Sequence, residues 1–109
     1  YNSLDLFIVP TVYDGFSMPG LEAIACGCPI ITSNTGALPE VAGDAGITVN
    51  PLNAKEISEI ILKIKNSPRL IKRMEVKSLN HSKNFSWEKC VAETLEVYKK
   101  VINNKRSKF

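Results

Sequence analysis

Apolar residues in this chain fall into three short β-branched runs, followed by three longer stripes at helical spacing. Leu4–Val9 (LDLFIV) is the first run; closed by Pro10, it predicts a buried strand of a parallel sheet with Asp5 at its exposed beginning. Pro29–Thr32 (PIIT) and Ile47–Val49 predict two further strands, the last ended by Asn50 and Pro51. Thr11–Met18 has no period and carries Gly15, which predicts a loop at the first strand's carboxyl end. Pro19 then fits the first position of a helix, where its missing N–H costs nothing. Leu21, Ile24 and Ala25 give that helix one apolar face over about two turns, until Gly27 stops it and Pro29 prevents continuation. Ser33–Gly46, rich in Gly, Ala, Asn and Asp, predicts a second loop, with LPEVAG as a single helical turn.

From Asn53 the chain becomes helical. Asn53 and Glu56 stand in the N-cap and N3 positions of a capping box, and Ile57, Ile60, Ile61 and Ile64 form a clean stripe behind them. Ser67-Pro68 opens another helix, with Leu70, Ile71 and Met74 inward. Ser86 caps the last helix, and Glu88 lies in its first turn. Its stripe of Trp87, Cys90, Val91, Thr94, Leu95, Tyr98, Val101 and Ile102 is too short to argue a coiled coil and predicts packing against the sheet or a neighbouring domain. The order is β-α-β-β-α-α-α, an α/β unit whose three short strands make a thin sheet. That thinness leads us to expect earlier strands in a longer chain.

A length of 109 residues allows one domain or part of one, and the composition is that of an ordinary globular unit. The formal charge of +3 comes from the tail: Lys99, Lys100, Lys105, Arg106 and Lys108 all follow the last acid, Glu96. A basic tail suits nucleic acid or an anionic membrane, but it also suits the negative end of a solvated, fraying helix; lacking interleaved aromatic residues, the second reading is favoured and no nucleic-acid partner is expected. Cys26, Cys28 and Cys90 form neither an even disulfide set nor a zinc knuckle, so they are read as small buried residues in a reducing compartment, with no metal site. No apolar run is long enough to span a bilayer.

Chemistry concentrates in Pro10–Thr32. Ligands of open parallel sheets collect beyond the carboxyl ends of the strands, where both predicted loops emerge. The helix near Pro19 aims its free N–H groups and positive dipole end at the same place, a ready phosphate site. The amides of Gly15, Phe16, Ser17 and Met18 are the candidate donors, and Gly15 allows close backbone approach. Asp14 and, eight positions later, Glu22 flank them. Carboxylates grip sugar hydroxyls through charge-assisted bonds, so the arrangement suits a nucleotide-sugar. Taken one at a time, Asp14 before Gly is also an ordinary turn residue, and Glu22 ordinary dipole compensation. On the residues alone both explanations stand.

The whole string DGFSMPGLEAIACGCPII resembles the signature of the retaining, nucleotide-sugar-dependent glycosyltransferases of the GT-B type, group 1, in which two Glu residues flank seven others. GALPEV followed by GDAGI is similar to that family's next segment, and YNSLDLFIVP to the strand before the signature; together they cover roughly residues 1–52. The resemblance implies the second half of a Rossmann-like, GT-B donor domain, so that 1–109 would be the C-terminal portion of a larger enzyme and inactive alone. It implies donor-sugar binding by Asp14, Gly15 and Phe16, diphosphate binding by Phe16, Ser17 and Met18, and ribose binding by Glu22, without a metal or a cofactor beyond the nucleotide-diphosphate sugar. It further implies hexose transfer with retention to a glycan or lipid-linked acceptor held by an N-terminal domain. The setting implied is cytoplasmic, including the inner face of a membrane, with peripheral association left open. Two departures stand out: Asp14 replaces the usual Glu and is shorter by one methylene, and Ser17 replaces a Gly where positive φ is expected. A module that binds nucleotide or sugar-phosphate without transfer is the alternative.

Overall fold

The computed structural model describes residues 1–107; Lys108, the last basic residue of the tail, lies outside the described residues. The core is organised around a central strand, β2 (Ile30–Ser33), flanked in parallel by β1 (Phe7–Val9) and β3 (Ile47–Val49). Phe7 pairs with Ile30 and Ile31 with Ile47. Successive side chains of a strand point to opposite faces, so Ile30 and Ile31 seed two separate cores. On one face Ile30 meets Val9, Ile24, Leu38 and Val41, carried by β1, α1 (Met18–Ala25) and α2 (Leu38–Ala42). On the other, Ile31 meets Val49, Ile64 and Met74, the last two from α3 (Ala54–Lys65) and α4 (Pro68–Ser82). All four β2 residues are buried, which is why this strand reads as a continuous run.

The α/β architecture with a short parallel sheet is therefore as expected, and the differences are local. β1 begins at Phe7 rather than Leu4, because Pro29 offers Phe7 a carbonyl (2.9 Å) but has no N–H to extend the ladder. Met18 rather than Pro19 opens α1, with Ser17 as its cap. Gly27, at φ 77°, closes it: Cys28 N–H donates to Ala23 O (3.0 Å) and Gly27 N–H to Ile24 O (2.9 Å), a Schellman end. Only half of the expected capping box forms on α3. Asn53 Oδ1 accepts from Glu56 N–H (3.1 Å), but the Glu56 carboxylate turns to the Asn50 N–H (3.1 Å).

Of the two expectations for the last helical stripe, packing on the sheet does not occur: α5 (Trp87–Arg106) stands clear of it. None of its residues is buried, and Trp87 is 73% and Tyr98 62% exposed. Side chains of α3 and α4 cover the Ile31 face of the sheet instead. Cys28 is buried as expected, whereas Cys26 at the end of α1 and Cys90 on α5 are exposed.

Candidate functional site

The start of α1 is built by two small residues. Ser17 takes φ 69° and ψ 74°, the left-handed conformation, and is the only non-glycine with positive φ among the described residues. Its buried Oγ accepts from Gly20 N–H at 3.2 Å. Gly20 fits closely there, since a Cβ would stand 3.0 Å from that Oγ and 3.4 Å from Ile30 Cδ1. Leu21 N–H is satisfied by Ser17 O (3.2 Å), and Pro19 has no N–H to offer. Among the described residues the amides of Ser17 and Met18 meet no acceptor. Both lie at the positive end of the helix, where an anion is favoured.

Phe16 differs from expectation. Its amide is already held by Asp14 Oδ1 at 3.0 Å, so the open donors at the helix start narrow to Ser17 and Met18, with Gly15 on the loop before them. Asp14 thus closes an Asx turn and leaves Oδ2 for other partners. The loop after β2 meets this one, because Thr35 Oγ1 donates to Val12 O (2.9 Å) and Gly36 lies against the Asp14 carbonyl. Both loops therefore reach the carboxyl edge of the sheet together.

Glu22 stands apart from this turn, one helical turn along from Met18. That puts it in the second turn of α1, outside the reach of simple first-turn dipole compensation. It is exposed, and its Oε2 accepts from the Tyr1 hydroxyl at 2.8 Å. That bond, followed by desolvation and the Glu22 charge, raises the Tyr1 phenol above its ordinary range. Oε1 of Glu22 takes no bond among the described residues.

Beside the helix start runs a groove of about 500 Å³, floored by Phe16, Met18 and Leu21 and walled by Phe85, Trp87 and Cys90. Asp14 and Glu22 do not line it. Phe16 meets Phe85 edge-on (6.1 Å, 64°), and Phe85 meets His81 (5.3 Å, 77°). His81 Nε2 in turn lies 3.1 Å from Val41 O and 3.3 Å from Glu40 O, which makes it the protonated nitrogen and caps the end of α2. Sequence reading missed this brace. Its one signal was Phe85, a lone aromatic residue in the polar run HSKNFS. Among the described residues no three His, Cys, Asp or Glu side chains gather as metal ligands would, and no helix is long and apolar enough to cross a membrane.

Fold and site together define a parallel α/β unit with helices on both faces and an anion-ready helix start at the sheet's carboxyl edge, flanked by carboxylates. The chain belongs to the family "Glycosyl transferases group 1", whose sequence model matches residues 1–67. It is 38% identical over 99 residues to O-antigen chain mannosyltransferase B of Escherichia coli, covering 91% of this chain and 26% of that protein. It is 36% identical over 104 residues to MMP alpha-(1->4)-mannosyltransferase of Mycolicibacterium hassiacum, covering 92% and 25%. Among solved structures, sucrose-phosphate synthase from Thermosynechococcus elongatus superposes with a TM-score of 0.77 at 24% identity over 92% of this chain and 26% of that one, a likeness of fold. The chain thus spans about a quarter of the length of the curated relatives it matches.

Proposed function

We propose that residues 1–109 are the donor-binding wall of a retaining glycosyltransferase that moves a hexose from a nucleotide-diphosphate sugar to a glycan or lipid-linked acceptor. The observation that carries this reading is the left-handed Ser17 cap, which leaves the Ser17 and Met18 amides open at the positive end of α1 within one turn of Asp14. A diphosphate accepts from those amides, and charge that develops on it as the sugar departs is stabilised by fixed dipoles that need no reorganisation. Asp14, through Oδ2 and with Gly15 and Phe16 beside it, holds the donor sugar; Glu22, through Oε1, holds the ribose. No metal and no cofactor other than the donor has a role in this scheme.

The acceptor and the remaining phosphate contacts come from chain beyond these residues. The uncovered apolar face of α5 supports a larger assembly, since an isolated helix with that stripe exposed is only marginally stable. The proposed setting is cytoplasmic, at the inner face of a membrane where the acceptor is lipid-linked. Titration of the longer protein with UDP, GDP and ADP and their hexose conjugates tests the reading. Binding of one nucleotide, with its conjugate bound more tightly, is expected; binding of none of the six contradicts it, and equal binding of nucleotide and conjugate favours a nucleotide module without transfer.

A further inference from the structure

Asp14 sits on a loop that apolar packing does little to hold: Val12 is 61% and Tyr13 84% exposed. Two contacts from the loop after β2 hold it instead. Thr35 Oγ1 donates to Val12 O at 2.9 Å, on one side of Tyr13. On the other side Gly36, at φ 59°, lies so close to Asp14 that an added Cβ would stand 2.6 Å from its carbonyl oxygen and 3.6 Å from its nitrogen. Carbon does not approach a carbonyl oxygen that closely, so any side chain at 36 forces the two loops apart, at Asp14, at residue 36 or at both. Asp14 then passes its position on, because Oδ1 fixes the Phe16 amide (3.0 Å) immediately before the Ser17 cap. The series of contacts runs from the second loop through Asp14 to the helix start.

We propose that Gly36 and Thr35 are positioning residues for Asp14: they touch no ligand, but they set where its carboxylate meets the donor sugar. This deepens the donor-binding reading and rests on it. Displacing the Asp14 backbone by a fraction of an ångström moves a sugar-contacting carboxylate while leaving Glu22, on the rigid helix, where it was. The expected signature is therefore selective: affinity for the sugar conjugate falls more than affinity for the bare nucleotide.

The test uses the full-length protein with Gly36→Ala, Thr35→Val and Thr35→Ser. Each variant is titrated with UDP, GDP and ADP and with their glucose and mannose conjugates, and exchange of the Phe16 amide is followed by mass spectrometry without ligand. For Gly36→Ala, conjugate affinity should fall about tenfold or more, with a smaller loss for the bare nucleotide and Phe16 exchange faster. Thr35→Val should move both readouts the same way by less, and Thr35→Ser, which keeps the donor, should restore them. Gly27→Ala serves as the control: Gly27 also has positive φ (77°), but its Cβ would meet Leu79 Cγ (3.2 Å) at the opposite end of α1 from Phe16, so stability falls without either signature. Unchanged Phe16 exchange in Gly36→Ala overturns the inference whatever binds. So does an equal loss for nucleotide and conjugate, or the same selective loss in Gly27→Ala. If the wild-type protein binds no nucleotide, the donor reading fails instead, and the exchange measurement still decides the coupling between the loops.

Discussion

Replacing Ser17 separately by Gly and by Ala tests the geometry of the helix start on which the site depends. Ser17 combines two opposed terms, an unfavourable left-handed backbone at φ 69° and a favourable cap in which Oγ accepts from Gly20 N–H at 3.2 Å. The left-handed conformation costs a residue with a Cβ about 1–2 kcal/mol. Gly removes that cost, forfeits only a few tenths of a kcal/mol as a cap, and loses about 0.4–1 kcal/mol through the freer unfolded chain. Ser17→Gly should therefore be neutral or up to about 1 kcal/mol more stable. Ser17→Ala keeps the backbone cost and deletes the cap, so it should lose about 1–2 kcal/mol. Urea unfolding at constant m-value reads the difference, about 2 kcal/mol between the variants. Donor binding should survive in Ser17→Gly, since the Ser17 and Met18 amides act through the backbone. If Gly proves as damaging as Ala, the positive φ at 17 is not strained and the account of this turn is wrong.

Buried groups on and beside β2 carry three further predictions. Thr32 Oγ1 is fully buried without a hydrogen-bond partner among the described residues, so Thr32→Val, nearly the same shape, should leave stability unchanged or raise it by about 1 kcal/mol in denaturant titration, and a loss of that size would reveal an unseen partner. Burial raises the Cys28 thiol. Because the folded value lies above the unfolded one, its contribution to stability is complete below the ordinary thiol pKa of about 8.5 and is lost as pH rises through the folded value. Cys28→Ala should flatten that alkaline fall. In the native protein Cys28 should also resist iodoacetamide while the exposed Cys26 is modified, and equal labelling of the two by mass spectrometry would contradict the burial.

What could be read in the sequence was what local chemistry determines. β-branched runs closed by Pro and Asn give strands; Ser67-Pro68 and Gly27 give a helix start and a helix end, because each residue carries its own backbone constraint. The acid–amide–acid order of Asp14 to Glu22 was visible for the same reason. Partners at long range were not. Nothing in the letters of Asn53 and Glu56 says that Glu56 prefers the Asn50 amide, and nothing near Asp14 says that Gly36 lies against it. Ser17 gave a conflicting signal, a side chain where the turn wants Gly; the structure resolves it, because the hydroxyl is itself the cap. The stripe on α5 was legible, but periodicity reports that a face is apolar and not what covers it.

The most direct measurement compares Asp14→Ala with Glu22→Ala in the full-length protein, titrating each with the free nucleotide and its sugar conjugate. Glu22→Ala should weaken both by about 1.5–3 kcal/mol, the scale of a hydrogen bond to a charged group. Asp14→Ala should weaken the conjugate more than the bare nucleotide, because it removes the sugar contact outright but only loosens the helix start by freeing the Phe16 amide. Equal losses for nucleotide and conjugate in Asp14→Ala would contradict the division of roles between the two acids, and no loss in either variant would remove both from the site.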